Sequence, residues 1–411
     1  MNVEELMRDS LREQAAEQAP AGPGFADRVL TARRRRRTRT LASVAAATAA
    51  VVAIAVAVPL LDSGKDDVRP AGVTQQGGIS ADPDRSQPRD MIAAGRQVLA
   101  AYYTAKAVPQ TKDTSTFQRT YWLLDPKTGK YKKDTRWSYV AVAPGLKTAA
   151  VLERTLPAQR IGLLDLATGE VERWIPAGRG VGALAFSSDG RRLVATTYDE
   201  DPDGLVPVEN GDTGAMSWMA PYGSSRTGFF VLDLAGNSGY AWWRVANDRH
   251  VIGRADFAFT RDGKHLFARV TGEKDGMERF YDLSGKEVDP PAEEKYLRWD
   301  VPARLSPDGR LAALGLIHEV DAGKTYSAKS YSSIRDPRTG KKITMVRGGH
   351  LLAWADNKRL IAWERTTAFD EQPFRDRLVL VTIGSDKVVP LSGSRAQNLE
   401  EPAWEPVFAE R

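Results

Sequence analysis

The sequence predicts an all-β protein, a six-bladed β-propeller, preceded by one transmembrane helix and a short helical cytoplasmic tail. Three observations predict it. Two different strand–turn–strand units alternate along the chain, so that four short strands recur about every 40 to 50 residues. An uncharged run of 21 residues stands ahead of the repeats. A cluster of arginines stands directly ahead of that run.

Composition narrows the chemistry. The chain has 411 residues, no cysteine and four histidines. Disulfides, thiolate nucleophiles, Cys-ligated zinc and iron–sulfur clusters are therefore excluded, and little remains for a His-rich metal site. The net charge of +5 is small and local. Residues 1–40 hold nine Arg against six Asp and Glu, and the chain after residue 61 holds 49 Lys and Arg against 47 Asp and Glu. The large domain is nearly neutral, so it lacks the basic field that nucleic-acid binding requires.

Residues 1–40 read as a cytoplasmic tail. Val3, Leu6, Met7 and Leu11 recur at helical spacing, Pro20, Gly22, Pro23 and Gly24 break the pattern, and Phe25, Val29 and Leu30 begin a second apolar stripe. A helix this short is marginal alone and needs a partner or a membrane surface. Leu6, Leu11, Phe25 and Val29 are the expected partner-facing residues; the plainer alternative is a solvated tail that only sets topology. Residues 41–61 (LASVAAATAAVVAIAVAVPLL) are apolar on every face. As a helix they span roughly 30 Å, the hydrocarbon thickness of a bilayer. Arg33 to Arg37 and Arg39 precede the run, and Asp62, Asp66 and Asp67 follow it. The positive-inside rule then puts the N-terminus in the cytoplasm and the rest outside the membrane. The competing reading is a cleaved signal peptide, since Ala53-Ile54-Ala55 and Ala55-Val56-Ala57 fit a small-x-small site. Residues 62–94 are rich in Gly, Pro, Ser and Asp and read as a flexible linker.

Residues 95–411 carry the repeats. The Asp-Gly unit occurs as FSSDGRRLVA (186–195), FTRDGKHLFA (259–268) and LSPDGRLAAL (305–314), with weaker copies at 142–151 and 353–363. The second unit is a strand ending in Asp, then a Gly-containing turn. It occurs as WLLDPKTGKY (122–131), GLLDLATGEV (162–171), FVLDLAGNSG (230–239), FYDLSGKEV (280–288) and SIRDPRTGKK (332–341). Asp tolerates the tight turn and Gly supplies positive φ. One four-stranded sheet cannot cover both of its faces, and stacking sheets around an axis does. Five complete pairs span 137–174, 182–246, 254–289, 301–346 and 350–391. The sixth blade is split: residues 402–408 supply its first strand, and residues 96–108 and 119–134 supply the other three. Seven blades is the alternative, through an unseen strand around 86–100. Residues 198–228 are an insertion within one blade.

The SPDG turn at Ser306-Pro307-Asp308-Gly309, followed by LDLxTG-type strands, resembles the TolB-type and WD-repeat-like propellers of bacteria. That resemblance covers about residues 95–408 and implies a protein-binding propeller at the cell envelope. The tail, with its ADRVL, arginine run and span, resembles actinobacterial membrane proteins associated with extracytoplasmic-function sigma factors. This implies a cytoplasmic sigma factor as partner, although residues 1–40 lack the His and Cys of many zinc-binding anti-sigma domains.

No catalytic arrangement emerges. Gly236-Asn237-Ser238-Gly239 is not a nucleophile elbow, and no Walker A, Rossmann or H-E-x-x-H motif occurs. Asp199-Glu200-Asp201-Pro202-Asp203-Gly204 has the spacing of an EF-hand start, but position twelve is Asn210, so it reads as a solvated acidic loop. First strands begin near the axis, so the residues ahead of them crowd the channel mouth. Arg254, Asp256, Arg298, Asp300 and His350 are the candidate ligand-binding residues there, suited to a small anionic or zwitterionic ligand; the competing reading is that they only pair with one another. Trp218 and Tyr222 of the insertion are either tucked onto the blade or candidate contacts for an envelope protein or a sugar. The expectation is a membrane-anchored, non-enzymatic binding or sensing module, with the lipid bilayer and an envelope protein or small ligand as partners. No cofactor, metal or nucleic acid is expected. The alternative is an envelope hydrolase or lyase acting at the channel mouth.

Overall fold

The computed structural model describes residues 78–209, 216–236, 240–245, 253–270, 276–321, 328–367, 373–397 and 403–411. The expected tail, the span 41–61 and the linker up to residue 77 lie outside them. So do Leu6, Leu11, Phe25 and Val29. Every regular element among the described residues is a strand, and none of these residues forms a helix long and apolar enough to cross a membrane.

The strands group into six antiparallel units. Blade 1 is Glu405–Glu410, Gln97–Pro109, Ser115–Asp125 and Lys130–Asp134. Its innermost strand comes from the far end of the chain, so the two ends close the ring as the split repeat predicts. Blade 2 is Trp137–Val142, Thr148–Glu153, Ala158–Asp165 and the first part of Val171–Phe186. The second part of that long strand opens blade 3, which continues with Arg192–Tyr198, Arg226–Asp233 and Trp242–Arg244. Blade 4 is Ala258–Phe259, His265–Arg269, Glu278–Asp282 and Glu287–Val288. Blade 5 holds Ala312–Asp321, Ala328–Arg335 and Lys342–Arg347, and its inner strand is reduced to one bridge between Leu305 and Ala312. Blade 6 is His350–Trp354, Arg359–Arg365, Phe374–Thr382 and Val388–Pro390.

The circuit closes by direct contact. Gly145 N donates to Glu410 O at 2.7 Å between blades 1 and 2, and blades 2 and 3 share a strand. Ser188 Oγ donates to Arg261 O at 2.9 Å, and Arg261 Nη1 to Ser306 O at 2.6 Å. Asp308 N donates to Asn357 Oδ1 at 3.0 Å, and Arg96 N to Ala355 O at 3.0 Å, which returns to blade 1. Apolar side chains fill five of the seams. Between blades 4 and 5, Arg304 pairs with Glu278 and Glu294 and lies 3.7 Å over the Phe267 ring. The described residues form six blades, and those around 86–100 add no seventh. They contribute Ala93–Ala94, which pairs with Ile79–Ser80 and with the start of Gln97–Pro109. The packed chain therefore starts before residue 95: Ile92 is fully buried and Asp82 N donates to Leu391 O at 2.9 Å.

The Asp-Gly turns share one hydrogen-bond pattern. Ser187, Thr260 and Ser306 each donate a hydroxyl to the Asp two residues on, at 2.5, 2.8 and 2.6 Å. Each hydroxyl also accepts from the backbone N–H five residues on. These first-to-second connections are short and lie on one face of the ring. The second-to-third connections lie on the opposite face and vary in length. The longest, 199–225, leaves blade 3 and forms the hairpin Gly204–Glu209 and Met216–Met219. That hairpin pairs with blade 1, Gly204 opposite Thr116 and Leu205 opposite Ser115. Phe117 N donates to Asp203 O at 3.0 Å. One sheet therefore runs from blade 1 to the insertion of blade 3, forming a roof at the channel mouth.

Candidate functional site

Beneath the roof, side chains from three blades meet. Arg254 stands just ahead of the first strand of blade 4, where sequence reasoning places it at the axis. Its Nη1 lies 2.8 Å from Asp203 Oδ1 and its Nε 3.0 Å from Asp256 Oδ2, while Nη2 donates to Gly182 O. Arg119, on the third strand of blade 1, makes a bidentate pair with Asp203, with Nη2 to Oδ1 at 2.9 Å, and its Nη1 donates to Ser138 O at 3.1 Å. Tyr198 Oη donates to Asp256 Oδ1 at 2.6 Å and accepts from Ala255 N at 2.9 Å. Any side chain at 182 would meet the Tyr198 ring and Pro202, so Gly182 allows this close approach.

Charge is balanced within the cluster. Burial alone would raise the Asp203 carboxyl, but Arg254 and Arg119 outweigh it and hold Asp203 below the usual carboxylate range. Burial disfavours the charged form of Arg254, and Asp256 and Asp203 more than reverse this. Arg119 follows the same logic against Asp203. Burial, followed by the negative charge of Asp256, pushes Tyr198 well above its ordinary value. Asp203 is therefore a fixed anion that anchors two guanidiniums, and no proton is available from it near neutrality.

The cluster divides two cavities. A cavity of about 480 Å³ is lined by Phe117, Leu205, Phe267, Trp299 and Arg269 together with Arg119, Arg254, Asp203 and Asp256. A cavity of about 570 Å³ is lined by Tyr103, Tyr121, Tyr139, the inner strands of blades 1 to 3, and again Arg119, Arg254 and Asp256. The shared residues form a septum across the channel. The roofed cavity has aromatic and aliphatic walls, with the paired Arg119, Arg254, Asp203 and Asp256 on one side.

Of the residues expected at the mouth, Arg254 and Asp256 come together and pair with one another. Arg298 and Asp300 form a separate pair at 3.1 Å, and His350 Nε2 lies 3.0 Å from Asp300 O. These three are not among the residues lining the roofed cavity, although Trp299 between them is, with Arg269 lying 4.9 Å over its ring. Trp218 is partly covered on the hairpin, and Tyr222 is 86% exposed beyond it. The reading of 199–204 as a solvated loop is corrected: Asp203 is 5% exposed and holds both arginines, while Asp201 accepts from Thr116 Oγ1 at 2.6 Å. Sequence reasoning missed Arg119, Asp203, Tyr198 and Phe267. Nothing local marks which of four neighbouring carboxylates turns inward, since its partners lie 84 and 51 residues away. Among the described residues, no group of three or more His, Asp or Glu is placed to hold a metal ion.

The solved structures that the chain matches are propeller proteins. TolB from Acinetobacter baumannii matches at 17% identity over 71% of this chain and 67% of that one, with a TM-score of 0.36. Hydrazine synthase from Kuenenia stuttgartiensis matches at 13% identity over 62% of this chain, which spans 65% of the hydrazine synthase chain, with a TM-score of 0.34. The dihydro-heme d1 dehydrogenase NirN, in complex with DHE, matches at 16% identity over 78% and 77%, with a TM-score of 0.31. No protein-family description and no curated protein sequence matches the chain. Likeness this distant carries no function across. It does correct the expectation of a non-enzymatic protein: two of these three structures are enzymes, so the propeller form gives no ground for excluding catalysis.

Proposed function

We propose that this chain is a binding module of the cell envelope that takes a small ligand at the mouth of its propeller. The observation that carries this reading is the roofed cavity. Its volume of about 480 Å³ falls in the range of small-molecule sites. Its walls offer Phe117, Phe267 and Trp299 to an apolar body. The site also lies on the face that carries the longest connections, where repeat proteins commonly bind. The anchor at 41–61, the extracytoplasmic placement and a relay through residues 1–40 to a sigma factor belong to the same proposal and rest on charge and hydropathy alone.

The test uses an aromatic anion, 8-anilinonaphthalene-1-sulfonate, titrated into the full-length protein. One saturable site, weakened about tenfold or more by Trp299→Ala, is expected from the loss of a stacking surface. Equal binding to the variant, or many weak sites, would remove the cavity from consideration. Protease added to intact cells should digest the propeller; protection inside the cell would refute the placement.

A further inference from the structure

The roof itself ends in an unpaired edge. Met216–Met219 pairs on one side with Gly204–Glu209, and no described residue pairs with its other side. Pro207 stands opposite Trp218. Proline has no N–H, so this pair cannot exchange hydrogen bonds, and the ladder bonds fall on the pairs to either side. Trp218 therefore turns its own N–H and C=O toward the open edge, as Met216 does two residues before.

Natural edge strands are usually guarded by lysine, proline or a covering segment. This one reads Met-Ser-Trp-Met and carries none of these within it. Met216 and Met219 are 63% and 46% exposed, and Tyr222 follows immediately. The charge around the edge has one sign. Residues 199–225 contain six Asp and Glu and no Lys or Arg, in a domain that is nearly neutral as a whole. Asp203 is neutralised by its two arginines, whereas Asp199, Glu200 and Glu209 are exposed.

From the open backbone edge, the exposed apolar side chains and the exposed carboxylates, we propose that this edge accepts an extended basic segment of a partner protein as an added antiparallel strand. Backbone hydrogen bonds to Trp218 and Met216 would supply register, aliphatic side chains on one face of the added strand would lie beside Met216 and Trp218, and lysines on its other face would lay their stems beside Met219 and carry their charge to the carboxylates. A second copy of this chain is a poorer occupant, because two such hairpins would bring like charges together. The proposal does not depend on the roofed cavity, whose lining includes none of residues 216–219.

The probes are three blocked peptides offered to the full-length protein: Lys-Val-Lys-Ile-Lys-Val-Lys, the same sequence with every Lys replaced by Glu, and the lysine peptide N-methylated at alternate residues. The lysine peptide should bind, and the glutamate and N-methylated forms should bind at least about tenfold more weakly, from reversing the charge or losing two backbone bonds. Hydrogen exchange at residues 216–219 should slow only with the lysine peptide. Met216→Ser with Met219→Ser, both at exposed positions, should weaken it, as should Glu200→Lys with Glu209→Lys. No binding, equal binding of the N-methylated form, or unchanged exchange at 216–219 would each overturn the proposal. 8-Anilinonaphthalene-1-sulfonate binding measured on the same samples separates this outcome from the fate of the cavity reading.

Discussion

Asp203 holds two guanidiniums inside the ring, and its energetics follow from that. Replacing it with Asn leaves Arg119 and Arg254 short of one counter-charge in a site where neither can reach water freely. Breaking a buried pair in this way costs about 3 to 5 kcal/mol, so Asp203→Asn should lower stability in urea unfolding by an amount of that order. The pH dependence has a definite sign. The carboxyl is held below its ordinary value in the folded chain, so its contribution is complete above the unfolded value of about 4 and is lost as pH falls from there through the native value. The stability gap between wild type and variant should narrow below about pH 4; an undiminished gap in acid would show that Asp203 is not acting through its charge. Arg254 and Asp256 were legible in the sequence because their position ahead of a strand fixes where they stand. Arg119 and Asp203 were not, because an ion pair across 84 residues leaves no mark in local pattern.

At the scale of the strand–turn–strand unit, chemistry is local and the sequence is a good guide. In the turn at 306–311, Ser306 is fully buried, its hydroxyl donates to Asp308, and it accepts from Leu311 N at 3.0 Å. Ser306→Ala leaves a buried N–H without its side-chain acceptor and removes a donor to a carboxylate, at a cost of about 1 to 3 kcal/mol. The next turn makes the comparison from within the same molecule. It has Ala355 in place of the serine, and Asp356 alone accepts from Lys358 N and Arg359 N, both at 2.8 Å. Gly309 has φ of +73°, and a methyl group there would also stand 2.8 Å from Arg261 Nη1. Gly309→Ala should therefore cost about 1 to 2 kcal/mol from backbone strain, read as a lowered Tm; no change would mean that the turn relaxes to another conformation. What local pattern does not reveal is the near-loss of the first strand in blade 5. Arg304 takes a φ of +48° to reach Glu278 and Glu294 across the seam, and extended pairing survives only at Leu305. A tertiary ion pair overrides a strand that the repeat alone predicts.

The whole ring depends on one strand that the chain supplies last. Glu405–Glu410 pairs with Gln97–Pro109 over six registered positions, covering Val98, Leu99 and Ala101, all fully buried. Trp404 stands just ahead of it, its ring centroid 5.4 Å from that of Tyr102 and 5.0 Å from that of Trp363, so one side chain joins blade 1 to blade 6. Arg395 of blade 6 donates to Trp404 O, pairs with Asp376 at 2.6 Å and lies 3.6 Å over the Trp363 ring. Removing residues 403–411 would uncover this apolar seam and leave Arg395 without its carbonyl partner, and no other described strand can take the vacated edge without leaving its own blade. A propeller without closure becomes an open stack whose end blades each expose a face, so the loss should spread beyond the deleted residues. The truncated protein is expected to lose its sharp thermal transition and to be cut by protease in blades 1 and 6 first. A synthetic peptide of residues 403–411, added in excess, should restore protection there, because it supplies the missing strand without the covalent link. Glu405→Gln is the milder control: its bond to Arg395 is half exposed and should be worth no more than about 1 kcal/mol. A truncated chain that melts as sharply and at the same Tm as the intact one would mean that the blades hold together without the closing strand, and the ring would then owe its stability to the five other seams.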